Sequence, residues 1–147
     1  MVPAYFKPYF TPSEFDSPDL PGSGIRMNAM FISMLNKARS IAGIPFYINS
    51  GYRTPAHNKK VGGVPGSAHT KGLAADIAVT PATYGKVLSA LIKAGFKRIG
   101  LGQNFIHVDI DCSKPCPAVW NYNGAMEESM ALVRKILEPE MLKKKAA

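Results

Sequence analysis

Two histidines and an aspartate stand in positions where their side chains could share a metal ion. His69 is followed seven residues later by Asp76, in Ser67-Ala68-His69-Thr70-Lys71-Gly72-Leu73-Ala74-Ala75-Asp76, and an isolated histidine, His107, lies in Phe105-Ile106-His107-Val108-Asp109. Zinc at a catalytic centre commonly takes three protein ligands from imidazole and carboxylate groups and leaves the fourth tetrahedral position for water. Two histidines and one aspartate meet that count. Each has a plainer use as well, since a lone histidine on a strand is usually a hydrogen-bonded structural residue and this His/Asp spacing also arises by chance. His57, the third histidine, is an alternative ligand by type, but its polar surroundings, Pro55-Ala56-His57-Asn58-Lys59-Lys60, read as loop or helix surface.

The elements that must position these groups are legible from local pattern. Residues 73–79 are small, apolar and β-branched towards their end and read as a buried strand. Gly62, Gly63, Pro65 and Gly66 make the run before His69 a turn-rich loop. His69 is then expected where that strand starts and Asp76 within it. An aspartate inside an apolar strand is costly to desolvate unless it meets a cation or hydrogen-bond donors. Ile106-His107-Val108-Asp109-Ile110 alternates apolar and polar residues, so His107 and Asp109 project from one face of a second strand. Pairing of the two strands would bring Asp76 and His107 together. A strand over 44–49 is expected to deliver Ser50-Gly51-Tyr52-Arg53 at its end. An arginine beside a metal can hold a carboxylate in two hydrogen bonds; its ordinary use is a surface ion pair. Ser67 has two readings, a donor to substrate or a cap on the turn.

The order S-G-Y-R-T-P-x-H-N, then G-G-V-x-x-S-x-H-x-x-G-x-A-x-D, then F-x-H-V-D resembles the zinc D-alanyl-D-alanine carboxypeptidase family, whose relatives include phage L-alanyl-D-glutamate endolysins and the metal-binding fold of hedgehog signalling domains. The resemblance runs from about Phe10 to Ile110. It implies zinc ligation by His69, Asp76 and His107, and a role for Arg53 in holding a substrate carboxylate or carbonyl oxygen. Many relatives place a general base three residues before the last ligand, or a histidine two before it; here those positions are Asn104 and Phe105, neither of which takes a proton from water. Asp109 is the nearest remaining carboxylate and the leading candidate for catalytic base or for orienting the ligand histidine.

The rest of the chain is ordinary globular sequence. Its 147 residues are 46% hydrophobic and 19% charged, which suits one domain over residues 1–147 with a substantial core. The expected fold is α+β: a central, mostly antiparallel sheet with helices packed against it, as in hedgehog and D-Ala-D-Ala peptidase domains. Thr11-Pro12-Ser13-Glu14 has a capping-box arrangement opening a short helix. Apolar positions at spacings of three and four predict helices over 26–42, stopped by Gly43, and 81–94, stopped by Gly95. A hairpin is expected from 96–101 and 105–110 through Gly102-Gln103-Asn104. Trp120 and Tyr122 are expected in a loop, where they could line the groove although core packing is the commoner fate, and a last helix is expected over 126–137. Tyr5, Phe6, Tyr9 and Phe10 read as packing residues rather than a groove. Cys112 and Cys116, four apart, suit either a short loop disulfide or two thiols.

Lys and Arg number 18 against 10 acids, a formal net charge of +8. Such an excess favours polyanionic partners, among them wall polymers, lipid surfaces and nucleic acid. No nucleic-acid module signature is present, so nucleic acid is not an expected partner. No apolar run nears the ~20 residues that span a bilayer. The first residues lack the basic and apolar regions of a secretory signal, so general secretory export is not expected. The leading expectation is a monomeric zinc peptidase acting on peptidoglycan stem peptides, of carboxypeptidase or endopeptidase type, made in the cytoplasm and reaching the wall by a phage lysis or virion-associated route. The rival is a non-catalytic module of the same fold that binds wall peptide or a protein.

Overall fold

Alternation of apolar and polar side chains along three strands sets the architecture. The computed structural model describes residues 2–122 together with Ala131 and Lys135. Strands β1 (Tyr47–Ser50), β2 (Ala74–Ala78), β3 (Arg98–Leu101), β4 (Phe105–Asp109) and β5 (Ala118–Asn121) form one sheet in the order β1-β2-β4-β3-β5. Neighbours run antiparallel except β3 and β5, which are parallel. The mixed α+β fold with a mostly antiparallel sheet is thus as expected.

One set of alternate residues, Ala75 and Ile77, Ile106 and Val108, Ile99 and Leu101, is fully buried. They form a single core with Phe31 and Leu35 of α1 (Ala29–Ala42), Leu88 and Leu91 of α3 (Tyr84–Lys93), and Phe96. Each such large side chain contributes about 1.5–3 kcal/mol by leaving water. The intervening residues, Asp76, His107, Asp109, Arg98 and Gly100, therefore point to the sheet's other face. The hydrophobic face anchors the sheet, and the polar face is left to carry chemistry.

Local chemistry explains where the helices begin. Helix α1 starts at Ala29, not at Arg26, because the Asn28 side chain accepts the Phe31 N–H at 3.0 Å while Ser23–Arg26 forms a separate 3-10 turn. Gly43, at φ 68°, takes the left-handed conformation that closes it. Helix α3 starts at Tyr84 rather than Pro81: the Thr80 N–H donates to Thr83 Oγ1 at 2.9 Å and holds a turn there instead. The capping box at Thr11 forms, with the Thr11 N–H donating to Glu14 Oε2 at 2.7 Å, and opens a 3-10 turn over Pro12–Phe15. Phe6 and Phe10 are buried against Phe15 as packing residues, whereas Tyr9 lies outside under the Arg39 guanidinium. The segment expected as a loop around Trp120 is strand β5, a correction that matters below. The helix expected over 126–137 lies, but for Ala131 and Lys135, outside the described residues.

Candidate metal centre

Sheet register brings the site together. Ser50 aligns with Asp76, Asp76 with His107, His107 with Gly100, and Gly100 with Trp120, one row across all five strands. Asp76 and His107 are thus facing residues of β2 and β4, as their alternation requires. His69 arrives from outside the sheet, in the 3-10 turn Ala68–Lys71 that precedes β2. Ser67 caps that turn, its Oγ accepting the His69 N–H at 3.3 Å, and it also lines the cleft, so both readings of Ser67 remain compatible with its position.

His69, Asp76 and His107 offer ligand atoms that all lie within 4.8 Å of one another, the one such group of three among the described residues. His69 Nε2 is 3.3 Å and His107 Nδ1 2.9 Å from the same oxygen, Asp76 Oδ1. The far nitrogen of each ring is fixed by an acceptor. His69 Nδ1 is 2.7 Å from the Gly51 carbonyl oxygen, which can only accept, so the hydrogen sits on Nδ1 and Nε2 keeps its lone pair. His107 Nε2 is 2.7 Å from Asp109 Oδ2, which holds the hydrogen there and turns Nδ1 towards Asp76. Opposite nitrogens of the two rings are therefore presented to one point beside a carboxylate. This donor set fits a divalent cation, and the pairing of each ligand histidine with an outer acceptor is the usual arrangement behind bound metals. His57 is on the surface of α2 (Pro55–Lys60), outside this group.

The electrostatics follow from the same contacts. Burial alone would raise the Asp76 pKa, but the His107 and His69 rings set against it outweigh burial and hold the carboxyl well below the usual range. Burial works against protonation of His107, yet its bonds to Asp109 and Asp76 carry its pKa above the ordinary value. Asp109 is likewise held low: the desolvation that would raise it is overcome by His107 and Arg98.

Asp109 is 2% exposed and fully engaged. Its Oδ1 accepts from Arg98 Nε at 2.6 Å and from the Asp111 N–H at 3.0 Å, while Oδ2 accepts from His107. Arg53 is held by three of its nitrogens: Nε donates to Ser50 Oγ at 3.0 Å, Nη1 to Asn58 Oδ1 at 3.2 Å and Nη2 to Asp76 Oδ2 at 3.3 Å. One hydrogen on each terminal nitrogen remains for a ligand, and Arg53 lines the cleft. Asn104 lies in the hairpin turn, and the Phe105 ring packs on Tyr122 with centroids 5.2 Å apart.

The cleft over these residues has a volume of about 480 Å³. Trp120 and Tyr122, which local pattern places in a loop able to line a groove, do line it, but from a strand and the residue after it, and Arg98 joins them without any sequence signal. Arg98 lies on β3 facing Asp109, and its guanidinium stacks on Trp120 at 5.0 Å. Trp120 in turn lies 5.4 Å from the His107 ring. Gly100 makes this possible: a Cβ there would meet Trp120 Nε1 at 2.6 Å and Tyr122 at 2.7 Å. The bare glycine opposite a tryptophan was the available signal, but it becomes readable only once β5 is known to pair with β3.

A mostly antiparallel sheet carrying an imidazole and a carboxylate on its polar face, met by a second imidazole from the turn before β2 and lying under a cleft with an anchored arginine, is the arrangement of a metallopeptidase. A family model described as Peptidase M15 matches residues 8–109, more than half of the 147, and the chain belongs to that family of zinc peptidases. No curated protein matches the chain.

Proposed function

We propose that the protein hydrolyses peptide bonds in the stem peptides of bacterial peptidoglycan, with zinc as its metal, cutting at a D-alanine or an L-alanyl-D-glutamate bond. The observation that carries this reading is the opposed setting of His69 Nε2 and His107 Nδ1 at Asp76 Oδ1, each fixed by an acceptor on its far side. Zinc suits two neutral imidazoles with one carboxylate, and the family supports a wall-peptide substrate. When bound, such an ion polarises the amide carbonyl and makes water a better nucleophile at neutral pH.

The chain's own residues divide the remaining work. His69, Asp76 and His107 hold the ion. Asp109, with both oxygens occupied, aims the His107 ring rather than serving as the base. The two free hydrogens of Arg53 hold a substrate oxygen, carboxylate or developing oxyanion, in a fixed position. Trp120 and Tyr122 close one side and limit water around the reacting bond. Synthesis in a phage-infected cell and delivery to the wall during lysis would suit such a hydrolase.

The rival reading, a metal-containing module that binds without cutting, rests on Asn104 and Phe105 standing where relatives carry a proton acceptor. Incubation of the zinc-loaded protein with purified stem peptides, followed by mass analysis, separates the two. Metal-dependent cleavage supports the hydrolase and gives the scissile bond from the product masses. Intact peptide at full zinc occupancy refutes it in favour of the binding module.

A further inference from the structure

Five charged side chains line the cleft: Arg53, Arg98 and Lys114 against Asp76 and Asp109. Arg98 is taken by Asp109 at 2.6 Å and Arg53 is in contact with Asp76 at 3.3 Å. Lys114 is differently placed. Its Nζ is 3.6 Å from Asp111 Oδ2, but the same oxygen already has Lys71 Nζ at 3.0 Å. One carboxylate thus serves two ammonium groups, and the weaker contact belongs to the one that lines the cleft. A positive charge is left over in the lining of the cleft.

The loop bearing that charge is held on both sides. Ser113 donates to Asp111 Oδ1 through its N–H at 3.1 Å and its hydroxyl at 2.6 Å, and the Lys114 N–H donates to the Asp111 carbonyl at 3.2 Å. Beyond it, Arg98 Nη1 donates to the Pro115 carbonyl. Lys71 Nζ also reaches Ser113 Oγ at 3.2 Å. Less ordering is required when the backbone beneath a binding group is already fixed. Arg53 enters the cleft from the end of β1, the first strand in the sheet order, whereas Lys114 comes from the loop leading into β5, the last. Lys114 also stands beyond residues 8–109, so the family match does not account for it.

We infer that Lys114 determines specificity by receiving a carboxylate of the substrate, separate from the oxygen held by Arg53. This rests on the peptidase reading and deepens it. The cleft then prefers a stem peptide with an anionic group on the β5 side over its uncharged carboxamide. In a stem peptide whose third residue is lysine, that group is either the α-carboxylate of D-glutamate or the C-terminal carboxylate, and the chemistry at Lys114 is the same for both.

Four versions of one stem peptide distinguish the sources, with the D-glutamate α-carboxyl free or amidated and the C-terminus free or amidated. Binding to the zinc-loaded protein is read from the fluorescence of Trp120, the single tryptophan, and turnover as kcat/KM. The expected result is a preference for carboxylate over carboxamide at one of the two positions. That preference should shrink roughly fivefold in K114M, which keeps the aliphatic stem, and return in K114R, as befits a partly exposed ion pair. The position at which it shrinks identifies the carboxylate. A K114M protein of unchanged melting temperature that keeps the parent's preference at both positions overturns the inference. Binding that shows the Lys114-dependent preference without any cleavage upholds it and removes the hydrolase reading instead; cleavage with an unaltered preference does the reverse.

Discussion

Replacing Asp109 by asparagine changes almost no volume but leaves no satisfactory orientation for the new side chain. Both oxygens of Asp109 face donors: Oδ1 receives Arg98 Nε at 2.6 Å and the Asp111 N–H at 3.0 Å, and Oδ2 receives His107 Nε2 at 2.7 Å. Set with its amide nitrogen towards His107, the asparagine opposes one N–H with another or forces the ring hydrogen onto Nδ1, the atom meant for the metal. Set the other way, it turns its NH₂ against the Arg98 and Asp111 donors. Either orientation leaves a buried donor unmatched, at about 1–3 kcal/mol. Loss of an outer partner of a ligand histidine typically weakens metal binding ~10–100-fold. Zinc affinity of the parent and Asp109→Asn proteins is measured by competition with a chromophoric chelator at fixed pH, alongside thermal unfolding of the metal-free forms. The expected outcome is weaker zinc binding together with a lower apoprotein melting temperature. An Asp109→Asn protein that binds zinc as tightly as the parent, yet cleaves nothing, would refute the orienting role and restore Asp109 as a proton acceptor.

Four further outcomes follow from particular contacts. Gly100→Ala drives a methyl group into Trp120 and Tyr122, so tryptophan fluorescence should shift and unfolding should cost about 1–3 kcal/mol less; an unchanged spectrum and stability would place the aromatic wall elsewhere. Asn58, buried between Arg53 Nη1 at 3.2 Å and the Val64 carbonyl at 2.9 Å, steadies both, and Asn58→Ala should lower stability by about 1–3 kcal/mol and raise KM for stem peptides. Removing zinc should lower the melting temperature, since free metal at 100 times its dissociation constant adds ~2.7 kcal/mol; equal melting with and without chelator would argue against a resident ion. Asp111 is held down to about 2, because hydrogen bonds from Ser113 and Lys71 outweigh the burial that would raise it. Its contribution is therefore complete above the ordinary aspartate value of about 4 and disappears as pH falls through about 2. The stability gap between the parent and Asp111→Asn proteins should close over that acid window and stay constant above it.

The parts of this site that depend on residue type and alternation could be read directly from the chain. His69, Asp76 and His107 are of types that ligate zinc at catalytic centres, and Ile106-His107-Val108-Asp109-Ile110 states its own two faces. Whether those side chains meet is a matter of pairing, and the antiparallel partnership of β2 and β4 was a short inference because both are strongly apolar on one side. Strand β5 was not legible. Its partner β3 lies in parallel across a long connection with Pro115, Pro117 and two cysteines, and no hairpin turn announces it. Without β5 the wall formed by Trp120 and Tyr122 could not be placed. The work of Asp109 was half legible: its sequence position puts it on the His107 face, but its saturation depends on Arg98 being its cross-strand neighbour, which only the register reveals.

The single row of Ser50, Asp76, His107, Gly100 and Trp120 makes the centre vulnerable in an unusual way. Inserting or deleting one residue within β4 would exchange His107 for Ile106 or Val108 on the working face and send an imidazole into the oil of the interior. Side-chain replacements around the centre can be graded, but a frameshift of the ladder cannot. Length variation in this enzyme should be borne by its connecting segments, while β2 and β4 keep a fixed count of residues.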